Sequence, residues 1–126
     1  MVIDIQVIPH KLQRYPTAGD WYLDPASGKL MVKVSDTGDW RADALIAVHE
    51  LVEALLCRAA GVEQHAVDAF DMAYKGDGEP GDQPDAPYHE QHKAATAVEK
   101  FMCTCFFPEL TSEAAWESYE KLVAKL

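Results

Sequence analysis

Basic residues are scarce in this chain, and their scarcity excludes one broad class of partner. The 11 Lys and Arg residues stand against 21 Asp and Glu residues, which gives a formal net charge of −10 at neutral pH. A nucleic-acid binder needs a basic surface to contact phosphate groups. We therefore expect no nucleic acid among the partners of this protein.

Long apolar runs and paired cysteines are also missing. No apolar stretch approaches the roughly 20 residues that cross a bilayer, and the segment Met1–Asp4 lacks the basic start and apolar run of a signal peptide. The three cysteines are an odd number, and Cys103 and Cys105 lie too close together for an easy disulfide bond. These absences predict a cytoplasmic protein with reduced thiols and no membrane partner, in which Cys57 and Cys103 are small core residues.

Three short strands are predicted in the first third of the chain. Residues 2–8 alternate apolar and polar side chains up to Pro9, Trp21–Leu23 form a second strand, and alternation returns over Lys29–Val34. The turn-rich segment Asp24–Gly28 joins the last two strands into an antiparallel hairpin.

Helices are predicted over the rest of the chain, with one long loop among them. Asp39 caps a first helix that begins near Trp40 and ends at Gly61, a favoured C-terminal stop. Further helices are predicted over residues 63–74, 88–106 and 112–125. The glycine- and proline-rich loop at 76–87 has the length of a functional loop and is a candidate lid. The chain is thus predicted to be one α+β domain (1–126), with a short antiparallel hairpin or three-stranded sheet in 1–38 packed on three to four helices in 39–126.

The segment His49-Glu50-Leu51-Val52-Glu53 places an imidazole and a carboxylate in the apolar stripe of the first helix. At about 100° per residue, His49 and Glu53 lie within roughly 40° of each other. Burying both without partners would cost several kcal/mol, and a bound cation would remove that cost. In the related pattern His-Glu-x-x-His, two histidines bind zinc and the glutamate activates water. We interpret His49 and Glu53 as metal ligands and Glu50 as the general base.

The third predicted helix offers a further ligand. His92 and Glu99 lie along one border of its predicted apolar face, which consists of Ala95, Val98, Phe101, Met102 and Phe106. We prefer His92 as the third metal ligand. His89, Glu99, Asp71 and Asp68 are alternatives, or groups that hold a ligand in place. Zinc is the expected ion, and the carboxylate ligand makes the site tolerant of Mn²⁺, Fe²⁺ or Mg²⁺ as well.

The hairpin, the strand Lys29–Val34 and the helix with His49-Glu50-x-x-Glu53 together resemble a minimal zincin metallopeptidase over about residues 20–60. That resemblance implies His49 as a zinc ligand, Glu50 as the base, and Lys29–Val34 as an edge strand that lines the substrate cleft. Glu53 stands where the zincin pattern has its second histidine, so its role as a ligand is our inference.

The whole chain is also similar to a group of short, uncharacterised phage and prophage proteins. The shared features are the segments 49–54, 67–71 and 86–92. This similarity implies a bacterial host cytoplasm and brings no established activity with it.

Three functional hypotheses follow. The first is a metal-dependent, zinc-peptidase-like hydrolase with a peptide or small-molecule substrate. The second is a magnesium-dependent nucleotide pyrophosphohydrolase of the all-α type, which would use Glu50 and Glu53 together with Asp68 and Asp71. The third is a non-enzymatic phage accessory protein with a structural metal or polar cluster. Apolar residues of the last helix, Trp116, Tyr119 and Leu122, would serve a homo-oligomer as readily as a core.

Overall fold

The computed structural model describes residues 1–126 and contains a three-stranded mixed sheet. Its strands are β1 (Ile3–Ile8), β2 (Gly19–Leu23) and β3 (Leu30–Ser35), in the spatial order β1-β3-β2. β2 and β3 are antiparallel, which confirms the predicted hairpin. β1 runs parallel to β3 because the connection after Pro9 crosses to the far side of the sheet before β2 begins.

Four helices follow the sheet, close to the predicted bounds. They are α1 (Trp40–Ala60), α2 (Gln64–Ala73), α3 (His89–Phe106) and α4 (Ser112–Val123). The Asp39 side chain accepts a hydrogen bond from the Arg41 backbone N–H at 2.9 Å, as expected for an N-cap. Between α2 and α3 the predicted loop contains one short 3₁₀ turn, Pro80–Asp82. The observed architecture is therefore α+β, as the sequence predicted.

The predicted place of Lys29–Val34 as an edge strand is wrong. β3 lies in the middle of the sheet, because β1 pairs with one side of it and β2 with the other. The side chains of Leu30, Val32 and Val34 are buried. β2 is the edge strand that borders the helical layer, with Gly19, Asp20 and Trp21 buried.

The predicted apolar face of α3 is correct only in part: Ala95 is buried and Met102 and Phe106 pack against the core, but Val98 and Phe101 are exposed. The buried residues of this helix are His92, Ala95, Glu99 and Cys103, whereas Phe101 is 71% exposed. These four positions form one stripe at helical spacing. The stripe faces α1, where His49 contacts both His92 and Glu99.

The core lies where α1 packs between the sheet and α3. Leu45 of α1 and Val32 and Val34 of β3 are among its fully buried side chains. Cys57 and Cys103 are buried free thiols, which confirms their prediction as core residues. None of the four helices combines the length and apolarity needed to cross a membrane.

Gly61 provides a test of how α1 ends. Its backbone has φ of 73°, in the left-handed region, and a Cβ there would meet no atom within 4 Å. We expect Gly61→Ala to lower the free energy of unfolding by about 1 kcal/mol through backbone strain alone. Gly61→Asn should lose less, because asparagine tolerates this conformation. Urea denaturation measures both variants, and equal stability of Gly61→Ala and wild type would contradict this account of the helix end.

Candidate metal centre

Three potential metal ligands converge between α1 and α3. His49 and Glu53 lie one helical turn apart on α1, and His92 lies opposite them on α3. His49 Nε2 lies 3.2 Å from Glu53 Oε2 and 3.2 Å from His92 Nδ1, and the third separation, His92 Nδ1 to Glu53 Oε2, is 2.9 Å. The three residues are 7%, 5% and 5% exposed. We call these three residues the triad.

The dimensions of the triad fit a zinc ion. Tetrahedral ligands at about 2.0–2.1 Å from zinc lie about 3.3 Å from each other. The observed separations of 2.9–3.2 Å need only a slight outward movement to reach that value. Two imidazoles and one carboxylate also form the donor set of a zinc hydrolase site, with the fourth position left for water.

Hydrogen bonds on the sides that face away from the triad centre hold the two α1 ligands, His49 and Glu53, in place. His49 Nδ1 lies 2.9 Å from Glu99 Oε1, and the Tyr119 hydroxyl donates to Glu99 Oε2. The Trp21 indole N–H donates to Glu53 Oε1 at 3.0 Å. Each contact uses the side of the ligand that faces away from the triad centre, so His49 Nε2 and Glu53 Oε2 stay available.

Residues of the loop between α2 and α3 contact the outer side of His92. Its Nε2 lies 3.0 Å from Glu79 Oε2 and 3.1 Å from Asp82 Oδ1. Gly81 lies against the imidazole, and a Cβ at that position would collide with the ring. The loop therefore needs glycine there to reach His92.

The outer carboxylates decide which imidazole nitrogens carry protons. An ionised carboxylate only accepts hydrogen bonds, so Glu99 requires a proton on His49 Nδ1, and Glu79 with Asp82 requires one on His92 Nε2. If the imidazoles are neutral, His49 Nε2 and His92 Nδ1 then carry lone pairs, and both lone pairs face Glu53 Oε2. Three converging lone pairs need a cation among them. That cation is either a metal ion or a second proton on each imidazole.

Burial and charge act in opposite directions on the two imidazoles. Burial lowers the pKa of His49, but its hydrogen bonds to Glu53 and Glu99 outweigh that effect and raise the pKa above its usual value. The pKa of His92 is raised in the same way by Glu53 and Glu79. For Glu53, burial raises the pKa, and the bonds to both histidines lower it below its usual value. Without a metal ion, both imidazoles are therefore protonated near neutral pH.

Glu50 lies in the same cleft as the triad and differs from its neighbours in having no hydrogen bond to its side chain. Gly19 of β2 packs on it so closely that a Cβ would lie 2.6 Å from Glu50 Cγ. Burial and the negative charge of Glu53 raise the pKa of Glu50 well above its usual range. A carboxyl group with a raised pKa is suited to general acid–base chemistry near neutral pH.

The other candidate ligands lie outside the triad. Glu99 holds His49, as one of its predicted roles required. His89 Nδ1 lies 3.0 Å from the Gly81 carbonyl oxygen. Asp71 accepts hydrogen bonds from Tyr15 and Tyr88, and Asp68 bonds to Arg14 and Gln64. Neither aspartate belongs to a group of potential metal ligands, although both line the same cleft as Glu50 and Glu53.

Four residues of the site carry no recognisable sequence signal. They are Trp21 of β2, Glu79 and Asp82 of the loop before α3, and Tyr119 of α4, which reaches the triad through Glu99. The only relevant hint was the unusual length of the loop that holds Glu79 and Asp82.

The triad opens into a cleft of about 680 Å³ lined by 26 residues. Its walls come from β2, α1, α2 and the loop at 76–87, so the triad is buried at the base of a space that admits a ligand. A buried polar cluster that only stabilises packing does not need such a space.

No known protein family, curated protein or solved structure matches this chain. The resemblance to zincins and to phage proteins therefore remains a prediction.

Glu99 allows a test of how His49 is held. We expect Glu99→Gln to weaken zinc binding about 10-fold to 100-fold, because the amide cannot support the imidazole as a carboxylate does. Glu90→Gln, an exposed substitution on the same helix, is the matched control and should bind zinc as wild type does. Competition with a chromophoric chelator measures both affinities. Equal affinities for the two variants would contradict the role of Glu99.

Proposed function

We propose that this protein is a zinc-dependent hydrolase that acts on a peptide or amide bond, with His49, Glu53 and His92 as ligands. The observation that carries the proposal is the position of the triad: three buried ligand atoms converge at the base of an open cleft that also contains Glu50. A bound zinc ion would polarise the substrate carbonyl and lower the pKa of water toward about 7.

In this proposal Glu50 is the residue that transfers protons. Its carboxylate makes no hydrogen bond and lines the cleft, so it is free to accept a proton from the attacking water. Its raised pKa then suits it to pass that proton to the leaving amine. Trp21 and Glu99 keep Glu53 and His49 oriented during this exchange.

The edge of β2 supports an extended peptide as the substrate. Hydrogen bonds from Ser35 N to Ala18 O and from Asp24 N to Lys29 O place the even-numbered residues of this strand toward β3. The backbone groups of Gly19 and Trp21 therefore face the other way, and both residues line the cleft. The Gly19 carbonyl already accepts from the Thr17 hydroxyl, and the Leu23 N–H donates to Gln64, so a peptide added as a strand would pair with the backbone of Trp21. In this proposal β2 takes the place that the zincin resemblance gave to Lys29–Val34.

A structural cluster without enzymatic activity is the second candidate. Protonation of both histidines would satisfy every polar atom of the triad through Glu53, Glu79, Glu99 and Asp82. The protein would then need no metal ion. A nucleotide substrate has less support, because Lys75 is the only Lys or Arg that lines the cleft.

Metal analysis separates these candidates. We expect about one zinc ion per chain in protein purified without added metal, and loss of that ion in His49→Ala. His65→Ala is the control, because His65 is exposed and pairs only with Glu63. Quantification of Mn, Fe and Mg in the same samples identifies any other ion. Failure of wild type to bind zinc, even when zinc is added, would contradict the proposal and favour the structural cluster.

Glu50→Gln tests catalysis apart from metal binding. We expect this variant to keep its zinc and to cleave peptides about 100-fold to 10,000-fold more slowly, because the amide cannot accept a proton. The substrate is a mixed synthetic peptide library, and mass spectrometry measures the products. Wild-type cleavage rates in the zinc-loaded variant would exclude Glu50 as the base.

Proton release provides a pH-dependent test. Because both imidazoles have raised pKa values in the metal-free protein, zinc must displace about two protons, and the logarithm of its affinity should rise by about 2 per pH unit between pH 6 and 8. Calorimetry in buffers with different ionisation enthalpies counts the protons. Release of no protons would contradict the assigned protonation of the triad.

A further inference from the structure

Asp71 is a carboxylate of the cleft that has no role in the proposed reaction and no positively charged partner. It belongs to α2 and lines the cleft wall, and it is half-buried. The Tyr88 hydroxyl donates to its Oδ1, and the Tyr15 hydroxyl donates to its Oδ2 at 3.2 Å. Two phenols orient the carboxylate, but as neutral donors they do not balance its charge.

The other carboxylates of the cleft have partners that Asp71 lacks. Arg14 pairs with Asp20 and Asp68, and the two triad histidines contact three more. These three are Glu53, Glu79 and Glu99. Only Glu50 and Asp71 have neither a basic partner nor an N–H donor, and Glu50 already serves as the base.

Burial makes the free charge of Asp71 costly. It raises the pKa of Asp71 to about 6, so the group is mostly ionised at neutral pH despite its surroundings. A partly desolvated anion without a countercharge is unfavourable, and a cationic ligand would relieve that cost.

The surroundings of Asp71 suit an organic cation close to the triad. The Tyr88 ring lies edge-on to the His92 ring, with 6.1 Å between their centroids, so one tyrosine side chain separates Asp71 from a triad ligand. Tyr15, Tyr74 and Trp21 line the same cleft, and aromatic rings attract ammonium and guanidinium groups.

The cleft as a whole has an acidic excess. Seven carboxylate side chains line it against one lysine, Lys75. A divalent ion in the triad would balance two of these charges and leave the cleft negative. Such a cleft concentrates cations and repels anions.

We propose that Asp71 binds a positively charged group of the substrate, so that the substrates are peptides or amides with a basic side chain or a free amino group. This inference rests on the proposed hydrolase function, because the bound molecule is a substrate only if the protein is a hydrolase. The recognition of a cation by Asp71 depends only on the cleft and can be tested without catalysis.

The experiment measures binding of three short synthetic peptides to zinc-loaded Glu50→Gln protein by calorimetry. The first is N-acetylated and has a central lysine, the second replaces that lysine with neutral norleucine, and the third is the norleucine peptide with a free N-terminal amine. We expect one cationic peptide to bind at least about tenfold more tightly than the neutral one, as for a hydrogen bond to a charged group. The cationic peptide that binds identifies the source of the charge.

Asp71→Asn, added to the same protein, should abolish that preference, because the amide keeps the shape and loses the charge. Asp68→Asn is the matched control, since Asp68 lines the same cleft but already pairs with Arg14. The preference should survive in this control and should weaken as salt is added. Circular dichroism verifies that each variant is folded.

Equal binding of cationic and neutral peptides by Glu50→Gln protein would overturn the inference without any Asp71 variant. A preference that persists in Asp71→Asn would also overturn it. The same titrations with metal-free protein keep the two proposals apart. A preference that depends on Asp71, in a chain that binds no zinc and cleaves no peptide, would uphold the cation site and refute the hydrolase. Zinc-dependent cleavage without any preference for cations would uphold the hydrolase and refute the cation site.

Discussion

The fold is organised around two imidazoles and a carboxylate that α1 and α3 bury together. Glu53 and Glu99 bring negative charge into this interior, and His49 and His92 are the groups able to oppose it. A charge buried without a partner costs several kcal/mol, so the two helices pack stably only when positive charge lies between them. Two protons or one divalent ion supply the same charge. The choice between them separates a structural cluster from a metal centre.

Three other parts of the chain add contacts to this interior. The sheet contributes Trp21 from its edge strand, and α4 contributes Tyr119. The loop before α3 contributes Glu79 and Asp82. Because these contacts fall on the outer sides of the ligands, they fix imidazole tautomers and leave the inner atoms facing one another. The site therefore depends on β2, α4 and the loop before α3 as well as on α1 and α3.

Local patterns in the sequence predict local structure, but they do not predict contacts between residues far apart in the chain. Asp39 and Gly61 bracket α1 correctly, and the spacing of His49 and Glu53 places both on one buried face. On α3, hydrophobicity wrongly placed Phe101 on the buried face, whereas the structure buries His92 and Glu99, which the pattern placed only at the border of that face. The position of β3 depends on the crossover after β1, which no residue pattern specifies. Contacts such as those of Trp21 and Tyr119 join segments far apart in sequence, so no periodicity indicates them.

The most direct test of a metal centre is the X-ray absorption spectrum of the protein with one equivalent of zinc. Our account predicts a four-coordinate ion with two imidazole nitrogens and one carboxylate oxygen at about 2.0–2.1 Å, and one imidazole fewer in His92→Ala. A six-oxygen shell without imidazole scattering would contradict it. So would an unchanged spectrum in His92→Ala.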